Sequence, residues 1–124
     1  MTRHVLTVDL RDDARAIEAY KAHHRDVWPE VIASLRRAGI RELEIYIVGR
    51  RIVMIVDTDG RDLRRAFAEH AASSPRVAQW EALMKDLQQP VDGRDSEAWW
   101  AAMEPIFHLE PEEDAAPAAP RAPR

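Results

Sequence analysis

Tyr20, His24 and Trp28 fall at intervals of four in the run Tyr20-Lys-Ala-His-His24-Arg-Asp-Val-Trp28-Pro29-Glu30. Residues four apart lie one above another on a helix, so a phenol, an imidazole and an indole line up along one side. An imidazole takes and gives protons near neutral pH, a phenol donates or accepts a hydrogen bond, and an indole presents a flat apolar wall. Together they suit proton transfer on a small uncharged molecule. The same spacing serves a packed core equally well, since a His and a Tyr on an apolar helix face often do no more than hydrogen-bond to their surroundings. Metal ligation fits worse. His23 and His24 diverge by roughly 100° around a helix, and no third ligand follows them. The chain has no cysteine, which removes disulfides, thiolate metal sites and thiol nucleophiles. It also has no glycine-rich phosphate loop and no Ser-His-Asp signature, so neither a metal nor a cofactor is expected.

The elements around this cluster alternate between strand and helix patterns. Residues 4–10 place Leu6, Val8 and Leu10 at period two, as in a half-buried strand. Asp12 and Asp13 supply acids for a helix start. Ile17, Tyr20, His24 and Val27 recur at helical spacing, and Val31, Ile32 and Leu35 continue the apolar face beyond Pro29. Pro29 must kink or split that helix, and Gly39 is placed to stop it. Leu43, Ile45 and Ile47 alternate, and a β-rich run over 52–56 follows Gly49-Arg50, which predicts a hairpin. A second helical region spans 63–87, broken near Ser73-Ser74-Pro75, with Ser74 as N-cap and Pro75 at the first helical position. Ile106, Phe107 and Leu109 predict a closing strand. The order β-α-β-β-α-β is α+β and ferredoxin-like, a four-stranded antiparallel sheet with helices on one face. The bare face needs a cover, which in so short a chain implies a second copy, a homodimer.

Composition bounds the rest. With 46% hydrophobic and 32% charged residues in 124, the chain has room for one soluble domain, residues 1–110. The remainder, 111–124, is a Pro/Ala-rich tail with no large apolar residue to bury, and disorder is expected there. A net charge of -4 with scattered basic residues speaks against nucleic-acid binding. No stretch reaches membrane-spanning length, and Met-Thr-Arg-His-Val-Leu lacks the apolar core of a signal peptide. A cytoplasmic protein without membrane contact is the expectation.

The run Tyr20, His24, Trp28-Pro29-Glu30 resembles the most specific motif of the rhamnose mutarotase family, and the likeness extends from the first strand to Leu109. Gly39, the strand ending Ile45-Tyr46, and Met103-Glu104-Pro-Ile-Phe107-His-Leu109 resemble the family as well. The resemblance implies a cofactor-free isomerase that interconverts the α and β anomers of a 6-deoxyhexose, on a dimeric α+β barrel. Carried over, His24 would be the family's acid, Tyr20 would contact the sugar, and Trp80 would wall the pocket. Two positions depart from the rhamnose pattern. Glu81 stands where a second tryptophan is usual, and Leu43 stands where the family has a tyrosine. Both belong to the family's sugar pocket, and the Trp80-Glu81-Ala-Leu-Met84 stretch looks like the L-fucose branch. L-Fucose is therefore expected over L-rhamnose as substrate.

Fold alone does not fix function. A sugar-binding sensor without activity, a haem-binding protein and a cofactor-free oxygenase are alternatives on the same architecture. Trp99 and Trp100 read as packing residues, with a place in the pocket or at a dimer contact as the alternative. His4, His23, His70 and His108 read as ordinary surface or strand residues, and Arg61, Arg64 and Arg65 as a solvated helix face.

Overall fold

The computed structural model describes residues 2–95 and 98–112. The chain runs β1 (Thr2–Leu10), α1 (Ala14–His24), α2 (Pro29–Arg37), β2 (Ile40–Val48), β3 (Arg51–Thr58), α3 (Leu63–Ala71), α4 (Pro75–Leu87), β4 (Gln88–Gln89) and β5 (Ala101–Ala102). The strands form one antiparallel sheet in the order β2-β3-β1-β4, with β5 also paired to β1. This is the ferredoxin-like arrangement expected from the order of elements.

Local chemistry accounts for the boundaries. The Asp13 carboxylate accepts from the Arg15 amide and caps α1. A residue before proline is pushed to extended backbone, and Trp28 has ψ 133, so Pro29 ends one helix and opens the next. The helical region after β3 is split in the same way. The Ser74 hydroxyl accepts from the Val77 amide and Pro75 occupies the first turn of α4. Gly39, with φ 97, turns α2 into β2, and Gly49, with φ 59, opens the two-residue hairpin between Val48 and Arg51.

The alternating residues of β1 and β3 carry the core. Val8, Leu10 and Ile52 pack with Tyr20, Val31, Val77, Trp80 and Met84 from the helices. Leu6, Met54 and Val56 pack with Ala38, Ile40, Leu63 and Ala66. All four helices thus cover one face of the sheet. The other face presents Val5, Val53 and Ile55, half-buried and framed by the directly opposed pairs Arg51–Asp9 at 2.8 Å and Arg3–Asp57 at 3.7 Å. Tyr46 and Val48 stand exposed beside them.

The closing strand is not where the apolar run at Ile106, Phe107 and Leu109 suggests. The fourth place in the sheet is shared by two fragments. Gln88–Gln89 pairs with Asp9 and Leu10, and Ala101–Ala102 pairs with Leu6 and Thr7. The Met103 amide adds a bond to the Val5 carbonyl at 2.8 Å. A strand edge holds one partner at each position, so the outer edge of β1 from Val5 to Leu10 is taken up by these two fragments and Met103 before the chain reaches Ile106. Residues 104–112 have no regular structure, and Ile106, Phe107 and Leu109 are 89%, 81% and 78% exposed. Of the expected tail, residues 113–124 lie outside the described residues. No helix among the described residues is long and apolar enough to cross a membrane.

Candidate active site

An open pocket of about 1200 Å³ lies between the helices and their face of the sheet. Tyr20, His24, Leu43, Trp80 and Glu81 all line it, together with Gln88, Trp99 and Trp100. The five residues singled out in the sequence therefore meet in one cavity.

His24 is the last residue of α1, half-buried. Its Nδ1 lies 2.8 Å from the Tyr20 carbonyl oxygen, one turn back. A carbonyl only accepts, so Nδ1 carries hydrogen and donates. Burial holds the imidazole below its usual titration range, opposed by the bond to the Tyr20 carbonyl and reinforced by the neighbouring His23. Neutral His24 is thus fixed in the Nδ1–H tautomer, and Nε2 keeps a lone pair with no protein partner among the described residues. Its ring lies 4.3 Å from the Tyr20 ring and 5.6 Å from that of Trp80, centroid to centroid.

Tyr20 is 4% exposed. Its hydroxyl accepts from Gln88 Nε2 at 3.2 Å, and Gln88 Oε1 accepts from the Trp99 indole at 2.8 Å. Burial pushes the phenol up to about 12, against the pull of the Gln88 hydrogen bond, and the negative charge of Glu81 adds to the rise. Tyr20 is therefore a protonated donor, not a base, at any physiological pH.

Trp80 forms the centre of an aromatic cluster. Its ring meets His24 on one side and Trp28, at 5.1 Å, on another. Trp28 does not extend the Tyr20–His24 stripe along one helix, as its spacing suggests. The helix ends at His24, and the proline at 29 holds Trp28 in extended backbone, so Trp28 and His24 cannot share one helix. Trp28 instead backs Trp80, under the Arg76 guanidinium 3.5 Å from its ring centroid.

Two histidine readings change, and a third, His4, stays in its strand. His23 is not on the open surface but half-buried, its ring 6.1 Å from Trp80. His70 is 3% exposed, with Nδ1 2.8 Å from the Ser34 hydroxyl and Nε2 3.4 Å from Glu81 Oε1. Helical spacing from Leu63 through Ala66 and Phe67 to residue 70 is the signal that places it on the buried face. His4 is a half-buried strand residue that lines the pocket, and its Nε2 is the one buried side-chain polar atom without a partner among the described residues. His108 is solvent-exposed, as expected, and so are Arg61, Arg64 and Arg65. Gln88, which anchors Tyr20, carries no sequence signal, since its role depends on residues far away in the chain. Among the described residues no three His, Asp or Glu side chains are grouped to hold a metal ion.

The family model for L-rhamnose mutarotase matches residues 3–109. An L-fucose mutarotase of Xanthomonas campestris is 44% identical over 112 residues, covering 88% of this chain and 89% of that protein. An L-rhamnose mutarotase of Burkholderia orbicola is 34% identical over 101 residues, 75% of this chain and 86% of the other. The crystal structure of an L-rhamnose mutarotase from Formosa agariphila aligns with a TM-score of 0.63 at 22% identity, over 89% of this chain and all of that one, a likeness of fold.

Proposed function

We propose a function from one premise: the chain belongs to the L-rhamnose mutarotase family. It is an isomerase that interconverts the α and β anomers of a 6-deoxyhexose, and L-fucose is its preferred substrate over L-rhamnose. A cytoplasmic site of action is part of the same reading.

The observation that carries this reading is the state of His24, neutral, tautomerically fixed and with Nε2 unpartnered at the pocket. The anomeric hydroxyl and the ring oxygen are bonded to the same carbon, so one nitrogen reaches both. Nε2 takes the proton of the anomeric hydroxyl, the bond from the anomeric carbon to the ring oxygen breaks, and the imidazolium returns its proton to that oxygen. The open aldehyde rotates about its bond to the next carbon, and the same transfers run backwards close the ring on the other face. His24 thus acts as the family's acid only after it has acted as a base. Tyr20, held protonated, donates a hydrogen bond to the sugar, and the Trp80 face packs on the ring's C–H groups. Glu81 and Leu43 select the sugar. L-Fucose and L-rhamnose differ in hydroxyl configuration, and a directed acceptor such as Glu81 suits one arrangement and leaves the other unpaired. The preference for L-fucose is supported by Glu81 and Leu43 together with the 44% identity to a protein named for that sugar.

A homodimer completes the reading. The segment 103–109 holds four exposed apolar side chains, and the open sheet face offers Val5, Val53, Ile55 and Tyr46 as a surface for a second copy.

Saturation-transfer NMR on a panel of equilibrated 6-deoxysugars tests the activity. Catalytic amounts of the protein are expected to exchange magnetisation between anomers of L-fucose faster than between those of L-rhamnose. Equal rates would remove the preference, and binding without exchange would make the protein a sensor.

A further inference from the structure

Behind the pocket wall, α2, α3 and α4 meet over a buried chain of polar groups whose hydrogens can be counted. The Ser73 hydroxyl donates to the His70 carbonyl at 2.7 Å. A serine has one hydrogen to give, so toward Ser34 Oγ, at 2.8 Å, Ser73 only accepts. Ser34 is therefore the donor in that contact. Its approach to the His70 carbonyl, at 3.5 Å, is too long to compete. With its hydrogen so engaged, Ser34 Oγ accepts from His70 Nδ1 at 2.8 Å, and Nδ1 must carry hydrogen. The other nitrogen, Nε2, lies 3.4 Å from Glu81 Oε1. His70 is 3% and Ser34 2% exposed, whereas the Glu81 side chain is 33% exposed and lines the pocket, so the carboxylate stands with one oxygen against a ring held from behind.

We propose that His70 is a positioning residue for the sugar: its Nε2 edge stands against Oε1 of Glu81 and holds that carboxylate where it meets one ring hydroxyl in the pocket. This rests on the reading above, in which Glu81 contacts the sugar. Ser34 and Ser73 fix the imidazole from behind and tie the orientation of Glu81, on α4, to α2 and α3. A histidine that merely filled space between helices would need neither a fixed hydrogen on Nδ1 nor a pocket carboxylate at its far nitrogen.

Two measurements test the proposal. In the free wild-type protein, long-range ¹H–¹⁵N spectra of the His70 ring are expected to show hydrogen on Nδ1. A ring protonated on Nε2 alone would overturn the assignment, and no sugar is needed to see it. The second measurement compares His70→Gln, whose amide nitrogen takes the place of Nε2, with His70→Asn, whose amide takes the place of Nδ1. In folded protein, KM for the sugar exchanged fastest should rise about tenfold or more in His70→Asn, with a smaller change in kcat, and stay near wild type in His70→Gln. Adding His70→Asn to Glu81→Gln should raise KM no further. Equal KM values in the two His70 variants, or an unaltered KM in folded His70→Asn, would overturn the positioning role. Wild-type protein that exchanged no 6-deoxysugar would overturn the mutarotase reading instead, while the ring spectra still decided where the hydrogen sits.

Discussion

At the scale of single residues, the proposed chemistry depends on which nitrogen of His24 is left free. The Tyr20 carbonyl holds the hydrogen on Nδ1, so Nε2 is a base in the resting protein. His24→Asn keeps a polar group at the helix end but cannot relay a proton, and the anomer-exchange rate should fall by about 10²–10⁴-fold, the usual contribution of a positioned acid or base. NMR exchange rates on folded variant protein check this, and a wild-type rate would return His24 to a packing role. Burial lowers the titration of His24, so the base form persists to lower pH than for a free imidazole. The acid limb of kcat/KM should therefore lie below the ordinary value of about 6.5. The sign is the same for stability: an imidazole kept neutral in the fold must charge on unfolding, so the folded state loses stability as pH falls below that ordinary value. Of the site, Tyr20, His24, Trp80, Glu81 and Leu43 were legible through spacing and family resemblance. Gln88 and the Ser34–His70 pair were not, because their partners lie in other helices and strands, and no local period encodes a cross-helix hydrogen bond.

Secondary-structure elements place these side chains, and their ends matter more than their lengths. Pro29 keeps α1 and α2 from running on as one helix, and His24 closes α1 with its imidazole bonded one turn back. Gly39 sets where α2 becomes β2. Its φ is 97, and a Cβ there would lie 2.7 Å from Asp59 Oδ1 and 2.9 Å from Arg61 Nε. Gly39→Ala should destabilise the fold by at least about 1–2 kcal/mol from the backbone alone, lowering Tm by several degrees, with activity retained well below the transition. Thermal melts followed by circular dichroism check it, and an unshifted Tm would mean that Asp59 and Arg61 move aside and the turn relaxes. The strands and helices up to α4 follow their periodicity closely, because each buries one face on the same layer. The last strand does not. Ile106, Phe107 and Leu109 have the composition of a strand, but the edge of β1 at Leu6, Thr7, Asp9 and Leu10 is paired with residues 101–102 and 88–89. Composition cannot show that outcome.

At the scale of the whole molecule, the described fold is one-sided. Four helices shield one face of the sheet, the apolar centre of the other is only half-buried, and Ile106, Phe107 and Leu109 stand exposed among the described residues. Light scattering at micromolar concentration should return a mass twice that of the 14.2 kDa chain. An interface of more than roughly 1,200 Å² is expected for a stable pair. Ile106→Glu combined with Phe107→Glu should shift the mass toward the single chain while helical content is kept. A wild-type protein that scattered as a monomer would remove the dimer, and an unchanged dimer in the double variant would move the interface away from the 103–109 segment.

The divided edge of the sheet has an evolutionary side. β4 and β5 hold the sheet by two residues each, and the chain between them carries Trp99 and Trp100 to the pocket. Insertions or deletions in that connection leave the β1–β3 pairing in place and reach the pocket through Trp100 and through the Trp99 indole on Gln88. Selection can thus remodel one wall of the binding cavity, in length as well as in side chains, at little risk to folding. A lineage built on this plan has a region where the pocket wall can drift in length, while His24, the proposed base, sits at the end of a helix that cannot change length without moving it.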